Sequence, residues 1–220
     1  MGYQFHFGDV FAYKDLLIRG TLLTLELSAA ATVLGLVVGT AGALARNSAH
    51  ILLRWPAAVY VEVIRNTPFL VQLFFLFFGL SAVGVRLSAE FAALLAMVVN
   101  LGAYATEIVR AGLKSVGRGQ IEAGLSIGLT RWQIFRHVVI LPALQAIYPA
   151  LSSQAIIVML GSSVCSQISA QELTYAANFI QSRNFRSFEC YLVATAIYFV
   201  LTVLLRQAFA LVGRRVFRRS

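Results

Sequence analysis

A few charged residues stand inside long apolar stretches of this sequence, and they are the first candidates for chemistry. They are Glu26, Glu62, Arg65, Glu107 and Arg110. The stretches around them are long enough to cross a bilayer, where one charged side chain costs at least about 2.5 kcal/mol on insertion scales. Each of these charges is therefore a hypothesis about a functional site.

Spacing gives some of these charges a partner. Glu62 and Arg65 are three residues apart, as are Glu107 and Arg110, so each pair can neutralise itself on one helix face. For Glu62 and Arg65 the sequence favours a structural ion pair at least as much as a contact with a substrate. Glu26 has no such neighbour and must face protein or water.

Uncharged polar residues form a second candidate set near the expected midplane of the bilayer. They are Asn100, Ser152, Ser153 and Gln154. Polar groups at that depth suit a small zwitterionic substrate, although hydrogen bonding between helices is their commoner role. We consider the four, together with Glu26, as candidates for a substrate pathway.

The motifs of several enzyme classes are absent from the sequence. There is no phosphate-binding GxxxxGK[ST] loop, and both lysines, Lys14 and Lys114, follow residues other than glycine. Neither GxSxG nor HExxH occurs, and Cys165 and Cys190 lack the CxxC spacing of a metal site. The sequence therefore predicts no enzyme, no metal and no cofactor in this chain, and any ATP hydrolysis must come from another polypeptide.

Composition indicates where these residues are held. Of the 220 residues, 59% are hydrophobic and only 12% are charged, with a mean hydropathy of +0.79. Soluble domains carry roughly 25% charged residues, so the chain is predicted to be an all-α integral membrane protein. The formal charge of +9 would suggest nucleic acid in a soluble chain, but here the cations are topology signals and no nucleic acid partner is expected.

Charge gaps of about 20 residues predict five transmembrane helices. They lie within residues 19–46, 55–80, 91–109, 138–171 and 190–212. Eleven cations fall on one side, between the first and second, between the third and fourth, and after the fifth helix, which predicts an outer N-terminus and a cytoplasmic C-terminus. Residues 1–18 would form an extracytoplasmic segment, 19–212 the transmembrane domain and 213–220 a basic cytoplasmic tail.

Two connections carry the signals of further helices. Thr130 and Gln133 have capping-box spacing, which predicts a helix from Arg131, and Gly128 is placed to end a short helix over about 120–127. On the opposite side, Ser169 and Glu172 repeat the capping-box spacing. They predict an outer helix whose buried stripe contains Leu173, Ala176, Ala177 and Ile180.

The segment EAGLSIGLTRWQIFRHVVILP, residues 122–142, resembles the EAA loop of permease subunits in binding-protein-dependent ABC importers. Glu122, Ala123, Gly128, Leu141 and Pro142 match the pattern of that loop. Gly124 replaces its second alanine, and one extra residue precedes Pro142, which would turn the following helix by about 100°. The stretches at 60–80, 100–113 and 179–189 are similar to the branch that imports polar amino acids, and the resemblance covers about 19–212.

The resemblance implies the type I importer permease fold, with an EAA loop at about 112–142 and a cytoplasmic coupling helix at 120–127. The residues implied to couple to an ATPase are Glu122, Ala123, Gly124, Leu125 and Gly128. The implied partners are two ATPase subunits that hold ATP and Mg, a second permease subunit and an extracytoplasmic amino-acid-binding protein. The implied location is the bacterial inner membrane.

Two other classes of protein are alternatives to this one. A self-contained secondary transporter or channel subunit would normally have two matched halves with broken helices, and five unequal spans do not supply them. A small membrane enzyme would need ionisable groups that converge, whereas these are dispersed over different spans. The 120–127 helix could also lie at the lipid interface, a role that Glu122 makes less favourable.

Overall fold

The computed structural model describes residues 4–217, and within them the chain is helical. The helices, in chain order, are α1 (Gly8–Phe11), α2 (Lys14–Arg46), α3 (Ile51–Arg65), α4 (Phe69–Phe74), α5 (Leu80–Ala82), α6 (Ala89–Ser115), α7 (Arg118–Ser126), α8 (Arg131–Ile134), α9 (Ile140–Gly161), α10 (Leu173–Asn184) and α11 (Ser187–Phe217). Two π-helical turns, Phe75–Gly79 and Phe135–Val139, join α4 to α5 and α8 to α9, and a 3-10 helix, Ser162–Ile168, follows α9.

Four of the five predicted spans are single long helices or continuous helical runs. They are Lys14–Arg46, Ala89–Ser115, Arg131–Ile168 and Ser187–Phe217. Each begins before its predicted first residue, and the third and fifth predicted spans also end later than predicted, because hydropathy detects the apolar centre of a helix and misses its polar ends. The predicted basic tail is therefore helical from Gly213 to Phe217, and Arg218 and Arg219 lie outside the described residues.

The second predicted span is a bent pair of helices and not one straight helix. Residues 55–80 belong to two helical segments, Ile51–Arg65 and Phe69–Ala82, bent by 112°. The break coincides with Pro68, since proline disfavours a helical conformation in the preceding residue. Asn66 and Thr67 stabilise the end of α3 by donating side-chain hydrogen bonds to the carbonyl oxygens of Glu62 and Val63.

The centre of the bundle is the contact between α2 and α6, which depends on small residues. A Cβ atom added to Gly35 would lie 2.7 Å from the Leu101 side chain, and one on Gly39 would collide with Ala105. Lipid tails are as apolar as leucine, so transmembrane helices associate through close packing and hydrogen bonds. These glycines allow the backbones of α2 and α6 to make that close contact.

At the opposite end of α9 from α7, helix α10 packs against α2 and α11. The predicted stripe of Leu173, Ala176, Ala177 and Ile180 is confirmed, since all four side chains are fully buried. The predicted capping box is wrong: Ser169 adopts a left-handed conformation with φ 65° and ends the 3-10 helix. Glu172 is itself the N-cap and accepts hydrogen bonds from the backbone N–H groups of Thr174 and Tyr175 at 2.9 and 2.8 Å.

Candidate functional site

The short helix α7 begins at Arg118, two residues before its predicted start, and ends at Ser126. Two hydrogen bonds close its C-terminus, from the Leu129 N–H to the Gly124 carbonyl at 3.1 Å and from the Gly128 N–H to the Leu125 carbonyl at 3.0 Å. This is the Schellman motif, which requires a left-handed residue after the helix. Gly128 has φ 81°, so its predicted role in ending the helix is confirmed.

Helix α8 starts at Arg131, as the sequence predicted. Thr130 donates its backbone N–H to the Gln133 side chain at 2.8 Å, and its hydroxyl accepts from the Gln133 N–H at 3.3 Å. The capping box is therefore confirmed. The turn between α7 and α8 is fixed from both sides, by the Schellman motif and by this cap.

The π-helical turn Phe135–Val139 lies between Gly128 and Pro142, where the sequence has one residue more than the EAA pattern. A π turn closes i to i+5 hydrogen bonds and so accommodates one additional residue within a helix. The extra residue is thus absorbed within the helix itself, ahead of Pro142. A regular α-helix would instead have rotated everything after it by about 100°.

Residues 118–135, which we call the coupling segment, are anchored to the membrane helices along one side only. Ile134 and Val139 form a buried cluster with Val116 and Ala143, and Gly124 lies against Ile134. The opposite side is open and apolar. Its exposed side chains are Leu125 (50%), Ile127 (77%) and Trp132 (65%), and Glu122 and Ala123 are exposed beside them.

An ion cluster ties α2 to α6 at the same end of the bundle. Glu107 accepts from Arg110 Nη2 at 2.5 Å, as its spacing suggested, and also pairs with Arg46. The second partner was missed because Arg46 is 61 residues away in the chain. Two guanidinium groups thus share one carboxylate.

The predicted ion pair between Glu62 and Arg65 does not form within residues 4–217. Glu62 accepts a hydrogen bond from the Asn66 side chain at 3.1 Å, and the Arg65 guanidinium stacks over the Tyr104 ring, 5.4 Å from its centroid. Among residues 4–217, the ion pairs do not include these two side chains. The end of α3 has turned Arg65 toward α6, and an aromatic face has replaced the carboxylate.

The predicted polar set near the midplane is divided between two places. Asn100 donates to the side chain of Gln72 at 2.9 Å and lines a cavity of about 100 Å³ between α4, α6 and α9. Ser152 and Ser153 line a separate open groove of about 490 Å³ between α9 and α11, which Arg206 also lines. Gln154, the next residue along α9, lines neither of these cavities.

Gln72 is the residue that the sequence reasoning overlooked. Its side chain is 8% exposed and donates to the carbonyl oxygens of Ile64 and Thr67, so it bridges α3, α4 and α6. An isolated amide in the run FLVQLFFLFF was a visible signal. Glu26, by contrast, is exposed on α2 and takes part in neither cavity.

Comparisons with known proteins agree with this geometry. The profile of the family described as "Binding-protein-dependent transport system inner membrane component" matches residues 31–218. The chain is 34% identical to the glutamine transport system permease protein GlnP of Escherichia coli strain K12, over 98% of both chains. It is 37% identical to the L-cystine transport system permease protein TcyB of Bacillus subtilis strain 168, over 94% of this chain and 89% of TcyB.

A solved structure described as an amino acid ABC transporter with histidines superimposes with a TM-score of 0.91. It is 37% identical and the match covers 97% of this chain and 100% of the other. The family profile spans most of the chain, and the relatives match nearly end to end. The chain therefore belongs to the family of binding-protein-dependent transport system inner membrane components.

Proposed function

We propose that this chain is the permease subunit of an ABC importer for a polar amino acid. The observation that carries the proposal is the exposure of apolar side chains on the coupling segment, next to Glu122 and beside a turn that hydrogen bonds fix on both sides. An exposed apolar patch of this kind is typical of a surface that contacts another protein. The relatives named for glutamine and cystine transport support the substrate class.

In this proposal, two ATPase subunits bind the pair of permease subunits on the cytoplasmic side and hold ATP and Mg, because this chain has no phosphate loop. Glu122, Ala123 and Leu125 contact an ATPase, while Gly124 and Gly128 fix the shape of the turn. Movement of the ATPases is transmitted through Ile134 to α9, since that residue joins the coupling segment to the buried cluster around Val116. The π-helical turn lies directly on this route.

A binding protein delivers the amino acid at the α10 end, and a second permease subunit, a copy or a paralogue, completes the pathway. Phe185 and Phe188 support a protein contact at that end, since they are 84% and 57% exposed. Asn100 and the two groove serines are the proposed substrate contacts. Exposed Glu26 would face the second subunit or the pathway, because a lone carboxylate at that depth is costly in lipid.

The orientation of the bundle, with the coupling segment inside the cell, is tested by cysteine labelling. Ser126 and Ser182 are exposed, one at each end, and Cys165 and Cys190 are buried and can be replaced by alanine. In intact cells, Ser126→Cys should be protected from an impermeant thiol reagent and Ser182→Cys should react. The reverse pattern would contradict the proposed topology.

The coupling role is tested with two variants, Gly128→Val and Glu122→Lys. A β-branched residue strains the left-handed conformation at Gly128, and lysine in place of the exposed Glu122 reverses the one acidic charge of α7. Both variants should insert in the membrane but lose transport, measured as uptake of labelled amino acid and as ATPase retained on purification.

Gly84→Val is the matched control. Gly84 also has a positive φ, 91°, and an added Cβ would meet nothing within 4 Å at either glycine. The control carries the same backbone strain but lies between α5 and α6, away from the coupling segment. Wild-type transport in both Gly128→Val and Glu122→Lys would refute the coupling assignment.

A further inference from the structure

A cavity of about 410 Å³ lies between the C-terminus of α2, the start of α3 and the last turns of α6. We call it the basic pocket. Its lining includes Arg46, Asn47, Arg54, Trp55, Arg110 and Lys114. It is at the same end of the bundle as the coupling segment, because α6 leads directly into α7.

The basic pocket has more positive charge than the protein neutralises. Glu107 is the carboxylate that pairs with Arg46 and Arg110. Among the ion pairs within residues 4–217, none involves Arg54 or Lys114. Four cations against one carboxylate leave a surplus that an anion would balance.

The surface next to the basic pocket is apolar and open. Ile51 also lines the pocket, and Ile51, Leu52 and Leu53 are 56%, 84% and 54% exposed. Trp55, which is 65% exposed, follows them on α3. Tryptophan beside cationic side chains is the composition of the bilayer interface, where rings and long basic side chains sit at headgroup level.

We propose that the basic pocket binds the phosphate of an anionic phospholipid, with Arg54 and Lys114 as its free cations. The acyl chains would lie along the exposed start of α3. A soluble phosphate or nucleotide would use the cations but would have no use for the adjoining apolar side chains. Basic pockets between transmembrane helices on the cytoplasmic side are suited to anionic headgroups.

The test uses the fluorescence of Trp55. The chain has two tryptophans, so Trp132→Phe leaves Trp55 as the single reporter. The full-length protein is reconstituted in phosphatidylcholine vesicles that contain a minor fraction of brominated phosphatidylglycerol or of brominated phosphatidylcholine. Bromine quenches tryptophan only at short range, so quenching measures which lipid occupies the pocket.

Brominated phosphatidylglycerol should quench Trp55 more than the same amount of brominated phosphatidylcholine. Arg54→Gln/Lys114→Gln should weaken the preference roughly 30-fold, since each basic residue near an anionic headgroup contributes about fivefold. The charge-conserving Arg54→Lys/Lys114→Arg should retain it. Arg214→Gln/Arg215→Gln, which removes two exposed cations from the end of α11, is the matched control and should retain it as well.

Equal quenching by both lipids, or a preference that survives Arg54→Gln/Lys114→Gln, would overturn the proposal. Loss of the preference on adding inorganic phosphate, but not chloride at the same ionic strength, would assign the pocket to a soluble anion and also overturn it. So would loss of the copurifying ATPase when Arg54→Gln/Lys114→Gln is made in the protein that retains Trp132, because the pocket would then be a protein interface. Retained transport with lost lipid preference keeps this result separate from the proposed function.

Discussion

The two short helices at opposite ends of the bundle, α10 and α7, differ in how completely the chain covers them. Helix α10 buries four side chains fully and begins at a carboxylate, Glu172, that is itself buried. Helix α7 buries only Gly124, and the adjacent Leu125 and Ile127 are exposed. The first helix is complete within one chain, whereas the second presents a surface that another protein would complete.

At α10 a polar group stabilises the fold, whereas at α7 a polar group is left available for a contact with another protein. The Glu172 carboxylate accepts from two backbone N–H groups and from the Tyr198 hydroxyl at 2.7 Å, and the Cβ position of Gly20 lies 2.9 Å from the Glu172 carbonyl oxygen. Glu122 is exposed. We expect changes at Glu172 to alter folding and changes at Glu122 to alter coupling.

The largest expected effect is that of Glu172→Ala. The substitution removes the N-cap of α10 and the carboxylate that accepts from the Tyr198 hydroxyl, which keeps Thr174 Oγ1 as a partner at 3.1 Å. Together these losses should cost about 2–3 kcal/mol of unfolding free energy. Denaturant titration of the purified protein measures this cost. The matched control Glu122→Ala, at an exposed position, should change stability by no more than about 0.5 kcal/mol.

Equal destabilisation by the two substitutions would mean that the exposed helix α7 contributes as much to the fold as the buried helix α10. A transport defect in Glu122→Ala at normal stability would show that Glu122 acts in coupling and not in folding. The two measurements together separate folding from coupling.

The second largest effect expected is a dependence of the stability of α10 on pH, through Glu172. Burial raises the pKa of the Glu172 carboxyl, and the hydrogen bonds from Tyr198 and the backbone only partly offset it. A raised folded-state pKa means that protonated Glu172 stabilises the fold fully below the pKa of the unfolded chain, and that this stability is lost as pH rises through the folded-state pKa. Helix α10 should therefore become less stable as the pH rises through the folded-state pKa of Glu172.

Hydrogen exchange of the α10 amides, corrected for the intrinsic effect of pH, measures this loss. Glu172→Gln keeps an acceptor oxygen and cannot ionise, so its α10 exchange should be insensitive over the same range. The α7 amides provide the internal control, and they should show no such step in either protein. A wild-type profile without a step would mean that ionisation of Glu172 does not weaken α10.

The same sequence pattern had two outcomes, which shows how far local reasoning reaches. Thr130 with Gln133 and Ser169 with Glu172 have the same spacing, and only the first pair forms a capping box. The first turn is open to solvent, so local hydrogen bonds decide its shape. Around Ser169, packing against α2 and α6 extends a 3-10 helix and moves the cap to Glu172.

Contacts between distant segments were beyond the sequence. The five apolar regions, the stripe on α10 and the glycine after α7 follow from periodicity and local turn chemistry. The pairing of Glu107 with Arg46 and of Asn100 with Gln72 depends on how α2, α4 and α6 pack, which no spacing encodes. Pro68 and the polar residues Arg65, Asn66 and Thr67 before it are a visible signal for the break, but gaps between charged residues locate a span and not a bend within it.

The smallest expected effect is that of Gly124→Ala, which restores the alanine of the EAA pattern at the one buried position of α7. A Cβ atom there would lie 3.0 Å from Ile134 Cγ1, so the isoleucine must move by a few tenths of an ångström. Alanine also favours the helix over glycine by about 1 kcal/mol, which offsets this contact. The net change in stability should be below about 1 kcal/mol, and transport should stay near the wild-type rate.

Gly124→Val places two more carbons against the same side chain and should reduce uptake without releasing the permease from the membrane. If Gly124→Ala alone abolishes uptake, the contact of α7 with Ile134 tolerates no added volume, and α7 is fixed by its packing as α10 is.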